Sequence, residues 1–273
     1  MRALVINLDR SPDRPAAFEA EAARCGLVFT RMAAVDGAKL SAKDVAAVRS
    51  PRFRFQPAGP GEVATFMSHR AAWRMAADGP GEWTAIFEDD VRLADDIAAV
   101  LTAIDTRGPD GDIIRLETTL RRVVIDEAGW PLMPGRGLHR VWSWHGGMAG
   151  YVVNRDGAAR LLTMTEAIAD PVDQVVFNPL SPVFRRLNIQ QVVPGAVVQE
   201  HIIEPDAEGA GAVSTVGRHE TGAPRRGARH GILVELRRLG LKVVERSLRA
   251  YDRRLPGRTY RLIPFAATAV GGE

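Results

Sequence analysis

The sequence predicts an α/β fold, and three observations predict it. Short apolar runs alternate with stretches of helical period along roughly the first 200 residues. The chain opens in strand–helix–strand order, with Ala3–Leu8, a helix started by Ser11 and Pro12, and Leu27–Phe29. The run Ala85–Phe87 is uninterrupted, too short for a helix, and ends in Glu88, Asp89 and Asp90. In open α/β sheets ligands sit beyond the carboxyl ends of strands, where these acids would stand. Adjacent carboxylates repel one another. A hard cation such as Mn²⁺ or Mg²⁺ would relieve that and keep positions open for substrate phosphates. The competing reading is a strand that ends in a solvated acidic turn.

Ala3–Leu8 is apolar on both faces, as a central parallel strand is. Ser11 as N-cap and Pro12 at the first helical position open a helix that carries Phe18 and Ala22 inward and stops at Gly26. Leu27–Phe29 reads as the second strand, and Ala34–Gly37 closes the unit in a turn. A G-x-G-x-x-G turn is absent, which argues against a dinucleotide cofactor. Arg10 and Arg14 offer positive charge to a diphosphate, or are solvated first-turn arginines. Residues 50–61 read as a loop and 61–79 as a helix. On it Glu62, Phe66, His69 and Trp73 share one face. That face is either ligand-lining or half-buried with a satisfied histidine.

A helix is expected over 95–106, a strand over 112–116, and a hairpin of Val123–Ile125, a turn at Asp126–Gly129 and Trp130 onward, laid over the site region. Gly146 and Gly147 permit close backbone approach to a ligand. Trp142 and Trp144 beside them form a sugar-stacking platform or pack internally. Gly150–Asn154 is a strand followed by a helix through Leu162. Asp170 caps a further helix with Pro171 in its first turn. Asp173 then either offsets the helix dipole or faces the cleft as a base. Residues 189–198 read as edge strands broken at Pro194. The stretch 200–228 lacks periodicity and is expected to be flexible. His230–Leu255 reads as a basic amphipathic helix interrupted at Gly240, suited to an anionic membrane or to packing on the domain or a partner.

Composition bounds the function classes. A chain of 273 residues can bury a sizeable core as one large domain, or as one domain with an appendage. The single cysteine, Cys25, excludes an internal disulfide and a cysteine zinc cage. No run approaches the roughly 18 apolar residues of a membrane span. The start is too short in apolar residues for a signal-peptide core, so a cytoplasmic location is expected. No P-loop pattern supports a phosphotransferase. Net charge is +3 but uneven: between Arg218 and Arg261 stand 13 Lys/Arg against 4 Asp/Glu. Such an asymmetry points to an anionic surface, membrane or nucleic acid.

Six segments then line up in a familiar order: VINLDRSPDR (5–14), AVDG (34–37), GEVATFMSHRAAW (61–73), IFEDDV (86–91), GYVVNRDGAARLL (150–162) and PVDQVVF (171–177). On these the chain resembles glycosyltransferase family 25, the lipooligosaccharide-biosynthesis and procollagen galactosyltransferase group. The resemblance implies a GT-A type, Rossmann-like fold with a mixed central sheet over residues 1–210. A basic helical tail over 211–273 lies outside the match. It implies a UDP-sugar donor, Mn²⁺ or Mg²⁺, and inverting transfer, with galactose the default sugar. The acceptor implied is a glycolipid or oligosaccharide hydroxyl, such as one of lipopolysaccharide. Peripheral contact with the inner face of an anionic membrane would run through 228–261, with nucleic acid set aside. Carried over by position, Asp89 and Asp90 look like metal ligands. Asn7, Arg10, Arg14, Asp36, Gly37, Glu62, Ser68, His69 and Glu88 look like donor-side residues. The resemblance makes Asp173 the preferred base, with Glu117 and His145 as alternatives. His201 is a further candidate metal ligand on its position late in the chain alone. Ala64–Thr65 and the bulky 142–145 region depart from the family pattern and leave the acceptor open. The competing hypothesis is a non-catalytic module that binds a partner through the tail.

Overall fold

The computed structural model describes residues 1–11, 13–204 and 228–267. The expectation for Pro12, and 205–227 of the stretch 200–228 expected to be flexible, lie outside the described residues. The start of that stretch, Glu200–Ile203, is instead a short helix that continues directly from a strand. The first half of the chain comprises β1 (Arg2–Asn7), α1 (Asp13–Arg24), β2 (Thr30–Ala33), α2 (Ala42–Val48), α3 (Pro60–Ala77), β3 (Trp83–Glu88), β4 (Val91–Leu93), α4 (Ile97–Arg107), β5 (Ile113–Arg115) and β6 (Arg122–Asp126). There follow β7 (Trp130–Met133), β8 (Arg136–Arg140), β9 (Gly150–Asn154), α5 (Arg155–Met164), α6 (Val172–Phe177), β10 (Ile189–Val193), β11 (Val197–Gln199), α7 (Glu200–Ile203), α8 (Ala228–Asp252) and β12 (Arg258–Leu262).

Eight strands form one mixed sheet in the order β2-β1-β3-β9-β5-β10-β8-β7. β1 is parallel to both neighbours, and β9 runs antiparallel between β3 and β5. Alternate residues of each strand serve opposite faces. Leu4, Ile6, Ile86 and Val153 pack with Phe66 and Trp73 of α3 and Val176 of α6. Ala3, Val5, Phe87 and Val152 pack with Phe18 of α1 and Ile97 and Val100 of α4. Both faces are therefore covered by helices, which is why the strands read as continuous apolar runs. The α/β class and the mixed sheet are as expected.

Several local expectations change. The second strand starts at Thr30, not Leu27, and Val28 is 87% exposed. Gly26, in the left-handed region at φ 64°, turns the chain out of α1. Residues 123–130 do not form a hairpin: β6 pairs with β12, and β7 pairs with β8 at the sheet edge. Alternation marks a strand but does not name its partner. β10 is an interior strand, between β5 and β8, rather than an edge. Asp170 does not cap α6. Its carboxylate accepts the backbone N–H groups of Arg54, Phe55 and Gln56 at 2.8, 2.6 and 2.9 Å. Gly240 lies inside an unbroken α8.

Past α8 the chain returns to the body. β12 pairs with β6 through Tyr260 opposite Val124, and Ile263 is fully buried. Thr118 Oγ1 donates to the Ile263 carbonyl at 2.6 Å. Residues 258–265 are thus part of the domain's packing, and α8 is held at its C-terminal end.

Candidate active site

The acidic triplet stands where β3 ends. Glu88 is the last residue of that strand, and Asp89 and Asp90 make the turn into β4. β4 pairs with β11 in the register Val91 opposite Gln199, and the Glu200 N–H donates to the Asp90 carbonyl at 3.0 Å. This pairing brings Gln199 and His201 across from the triplet. The carboxyl ends of β1 and β2 and the first turns of α1 and α3 close the other sides. The resulting cavity, about 150 Å³, is lined by Arg10, Arg14, Gly37, Thr65, Ser68 and His69, together with the triplet, Gln199 and His201.

Each acid has a different environment. Asp89 accepts from Asn7 Nδ2 at 2.5 Å through one oxygen and from Arg14 Nη1 at 3.1 Å through the other. Asn7 is in turn held by Arg31 Nε, at 2.8 Å from its Oδ1. Asp90 keeps a buried Oδ1 with no partner. Burial, then the charges of Glu88 and Asp89, pushes Asp90 up to about 7. Burial, then Asp89 and Asp173, pushes Glu88 up to about 7, against the pull of Arg14. Three carboxylates this close cannot all ionise cheaply.

His69 connects the triplet to the core. Its Nε2 lies 3.3 Å from Glu88 Oε1 and its Nδ1 lies 3.0 Å from the Tyr151 hydroxyl. Trp73 Nε1 donates to that same hydroxyl at 2.8 Å. Indole N–H can only donate, so the Tyr151 proton is free to go to His69, and His69 Nε2–H to Glu88. Burial pushes His69 down to about 3, so the imidazole is neutral and the contact to Glu88 is a hydrogen bond rather than an ion pair. The stripe read from sequence is therefore both core and site.

Other predicted donor-side residues divide. Ser68 accepts from the Val35 N–H at 2.8 Å and donates to the Ala64 carbonyl at 2.9 Å, tying the segment after β2 to α3. A Cβ on Gly37 would sit 3.2 Å from Gly61 Cα, so Gly37 lets the two loops approach. Asp36 accepts from Arg10 Nε at 3.2 Å and orients that arginine without itself lining the cavity. Glu62 does not line it either. It caps α3, accepting from the Gly59 N–H at 2.6 Å and Gln56 Nε2 at 3.2 Å.

A second cavity of about 840 Å³ adjoins the first, sharing Gln199 and His201 in its walls. Asp173, in the first turn of α6, lines it, beside Phe55, Trp144 and His145. Burial raises the Asp173 pKa, opposed by the backbone N–H groups of Gln174 and Gly147 and by the Arg115 charge. Of the two alternative bases, His145 has both ring nitrogens committed, to Gln191 Oε1 at 3.1 Å and the Thr119 N–H at 3.3 Å. Glu117 is buried beneath the wall, accepting from the Ala149 N–H at 2.9 Å with Arg115 3.7 Å away. Gly147, at φ 88°, makes its close approach to Glu117, whose carboxylate occupies the space a Cβ would need. Gly146 and Gly147 also line the second cavity. Gln199 was not anticipated. Nothing local marks it, because the β4–β11 pairing alone brings it to the triplet.

Residues 1–176 match the family described as Glycosyltransferase family 25 (LPS biosynthesis protein). The chain belongs to glycosyltransferase family 25. Among similar proteins is the lacto-N-neotetraose biosynthesis glycosyltransferase LgtB of Neisseria meningitidis serogroup A, 33% identical over 51% of this chain and 53% of that one. Another is the lipooligosaccharide biosynthesis protein lex-1 of Haemophilus influenzae, 30% identical over 51% and 49%. The chain spans about half the length of the curated relatives it matches. A solved mannose-1-phosphate geranyltransferase from Thermus thermophilus aligns over 72% of this chain and 74% of that one, at a TM-score of 0.35 and 12% identity, too slight a likeness to bear on fold or function. Among the described residues no helix is long and apolar enough to cross a membrane.

Proposed function

We propose that this family 25 chain is an inverting glycosyltransferase with a GT-A type nucleotide-sugar site. It would move a sugar, galactose by default, from a UDP-sugar in the first cavity to a hydroxyl of a lipooligosaccharide-type acceptor in the second. The observation that carries this is the adjacency of two unlike cavities. One gathers Arg10, Arg14 and three carboxylates, and the other presents Asp173. Arg10 and Arg14 suit a diphosphate. Asp173 has the raised proton affinity of a general base that draws the proton from an attacking hydroxyl. One-step inversion needs that base on the side of the sugar away from the leaving diphosphate, and the two-cavity layout supports such an arrangement.

A divalent cation fits the donor side in part. Asp90 offers an unpartnered buried oxygen, and the crowded acids gain from positive charge. Among the described residues no three His, Cys, Asp or Glu side chains converge to hold an ion. The protein would then supply one or two ligands, Asp90 with Glu88 or His201, and the diphosphate the others. Asp89, already bonded to Asn7 and Arg14, is better placed to position Arg14. Bound there, the cation would stabilise negative charge on the departing diphosphate. Exposed Leu239, Val243, Val244 and Tyr251 on α8 support peripheral contact with a membrane.

The test is thermal stabilisation by UDP and UDP-sugars with and without Mn²⁺. Stabilisation that requires metal and vanishes in Asp90→Ala supports the reading. No shift with any nucleotide would return the triplet to a solvated strand end and favour the non-catalytic module.

A further inference from the structure

We propose that the second cavity is a receptor for an anionic group, a phosphate or carboxylate borne on the acceptor saccharide. The inference rests on reading the Asp173 side as the acceptor side. Two elements distant in sequence supply the cations. Arg121 precedes β6 and Arg122 begins it, and Lys242, Arg246 and Arg249 come from α8. The stripe Leu241, Glu245 and Arg249, with Lys242 and Arg246 beside it, repeats at four residues, so one face of α8 is the cavity wall. The basic helix read from sequence as a membrane surface therefore places these three cations along the cavity, Arg249 half-buried and Lys242 and Arg246 exposed. Its exposed large apolar residues are Leu239, Val243, Val244 and Tyr251.

The position of this wall is set by the fold. β12 follows α8 and pairs with β6, the strand that begins with Arg122. Arg249 stacks on Tyr260 of β12 at 5.9 Å, and Arg237 stacks on Phe53 at 5.2 Å. Five Lys/Arg thus meet two lining carboxylates, Glu245 and Asp173, with His145 and His201 also present. Glu245 sits among Lys242, Arg246 and Arg249 and offsets only part of their charge. Gathering five cations round a concave space is unfavourable until an anion enters, and such a cleft focuses the field on an incoming one. Guanidinium forks match the paired oxygens of phosphate and carboxylate. Trp144 and Phe55 in the same walls offer ring faces to a sugar, and the buried Trp144 Nε1 has no partner. A bilayer is a broad surface, and a concave space that joins these cations to Trp144 and Asp173 suits a compact charged saccharide better.

The experiment titrates the full chain with glucose 6-phosphate, glucuronate and glucose, using UDP and Mn²⁺ to report the first cavity separately. Wild type should bind the charged sugars at least tenfold more tightly than glucose. The double variant Arg246→Gln/Arg249→Gln should lose that preference while keeping its response to UDP, and Arg246→Lys/Arg249→Lys should regain part of it. Equal binding of charged and neutral sugars overturns the proposal. So does variant-sensitive binding to phosphatidylglycerol vesicles without sugar-phosphate binding, which would assign the cations to lipid. If UDP gives no response but the charged sugars bind as expected, the anion receptor stands and the transferase reading fails.

Discussion

His69 of α3 reaches Glu88 at the end of β3, with Nε2 3.3 Å from Oε1. The imidazole is 1% exposed, and its other nitrogen meets a Tyr151 hydroxyl that already takes the Trp73 N–H. One buried chain of donors thus runs from the core to the first acid of the site, and it makes the acid's orientation a property of the core.

His69→Ala should therefore act on stability as well as on binding. It strands the Tyr151 hydroxyl and empties the space of a ring, which costs about 2–4 kcal/mol. Urea denaturation measures the loss. A change within experimental error would mean the chain of bonds is not continuous in solution.

Asp90 should trade stability for ligand binding. The folded protein holds its proton more tightly than the unfolded chain, pushed from 3.8 up to about 7 by burial and by Glu88 and Asp89. Its contribution thus lowers folding stability as pH rises across that interval, and the contribution is level above it. Without divalent cations, Asp90→Asn should melt several degrees above wild type at pH 8 and level with it near pH 4. Wild-type affinity for Mn²⁺ with UDP should rise through pH 7. Parallel melting curves for the two proteins across this range would remove the buried-charge argument.

Asp173→Asn should lower sugar transfer by about 10²–10⁴-fold, the usual contribution of a general base. UDP binding should be unchanged, because Asp173 lines the other cavity. Burial raises the Asp173 pKa, so the acid limb of the wild-type rate profile should fall at a pH above the ordinary carboxylate range. A variant with wild-type turnover would move the base elsewhere.

Asp170→Ala tests a residue that acts at a distance. It removes three charge-assisted bonds to the backbone of residues 54–56, of which Phe55 and Gln56 line the second cavity. A loss of about 3–5 kcal/mol is expected for a buried network of this kind, with a raised acceptor KM in whatever fraction stays folded. Asp170→Asn should recover part of both, since an amide oxygen still accepts. An acceptor KM unmoved by either change would show that the loop holds its place without the carboxylate.

The sequence by itself determined the α/β class, a central parallel first strand and the triplet at a strand's carboxyl end. These follow from local rules: apolar runs buried on both faces, and polar residues returning where a strand stops. It also marked the His69 stripe, because helical spacing places residues on one face whatever lies opposite. Only the tertiary structure decided what lay opposite. Glu62 proved to cap its own helix, Asp170 to hold a loop, and β6 to pair with β12 rather than β7. Gln199 meets Asp90 only because β11 pairs with β4, a contact between residues more than a hundred positions apart. Period and composition record which way a side chain points along its own element. The partner that receives it is chosen by strand pairing and helix packing across the whole chain, and the two cavities exist only where those choices meet.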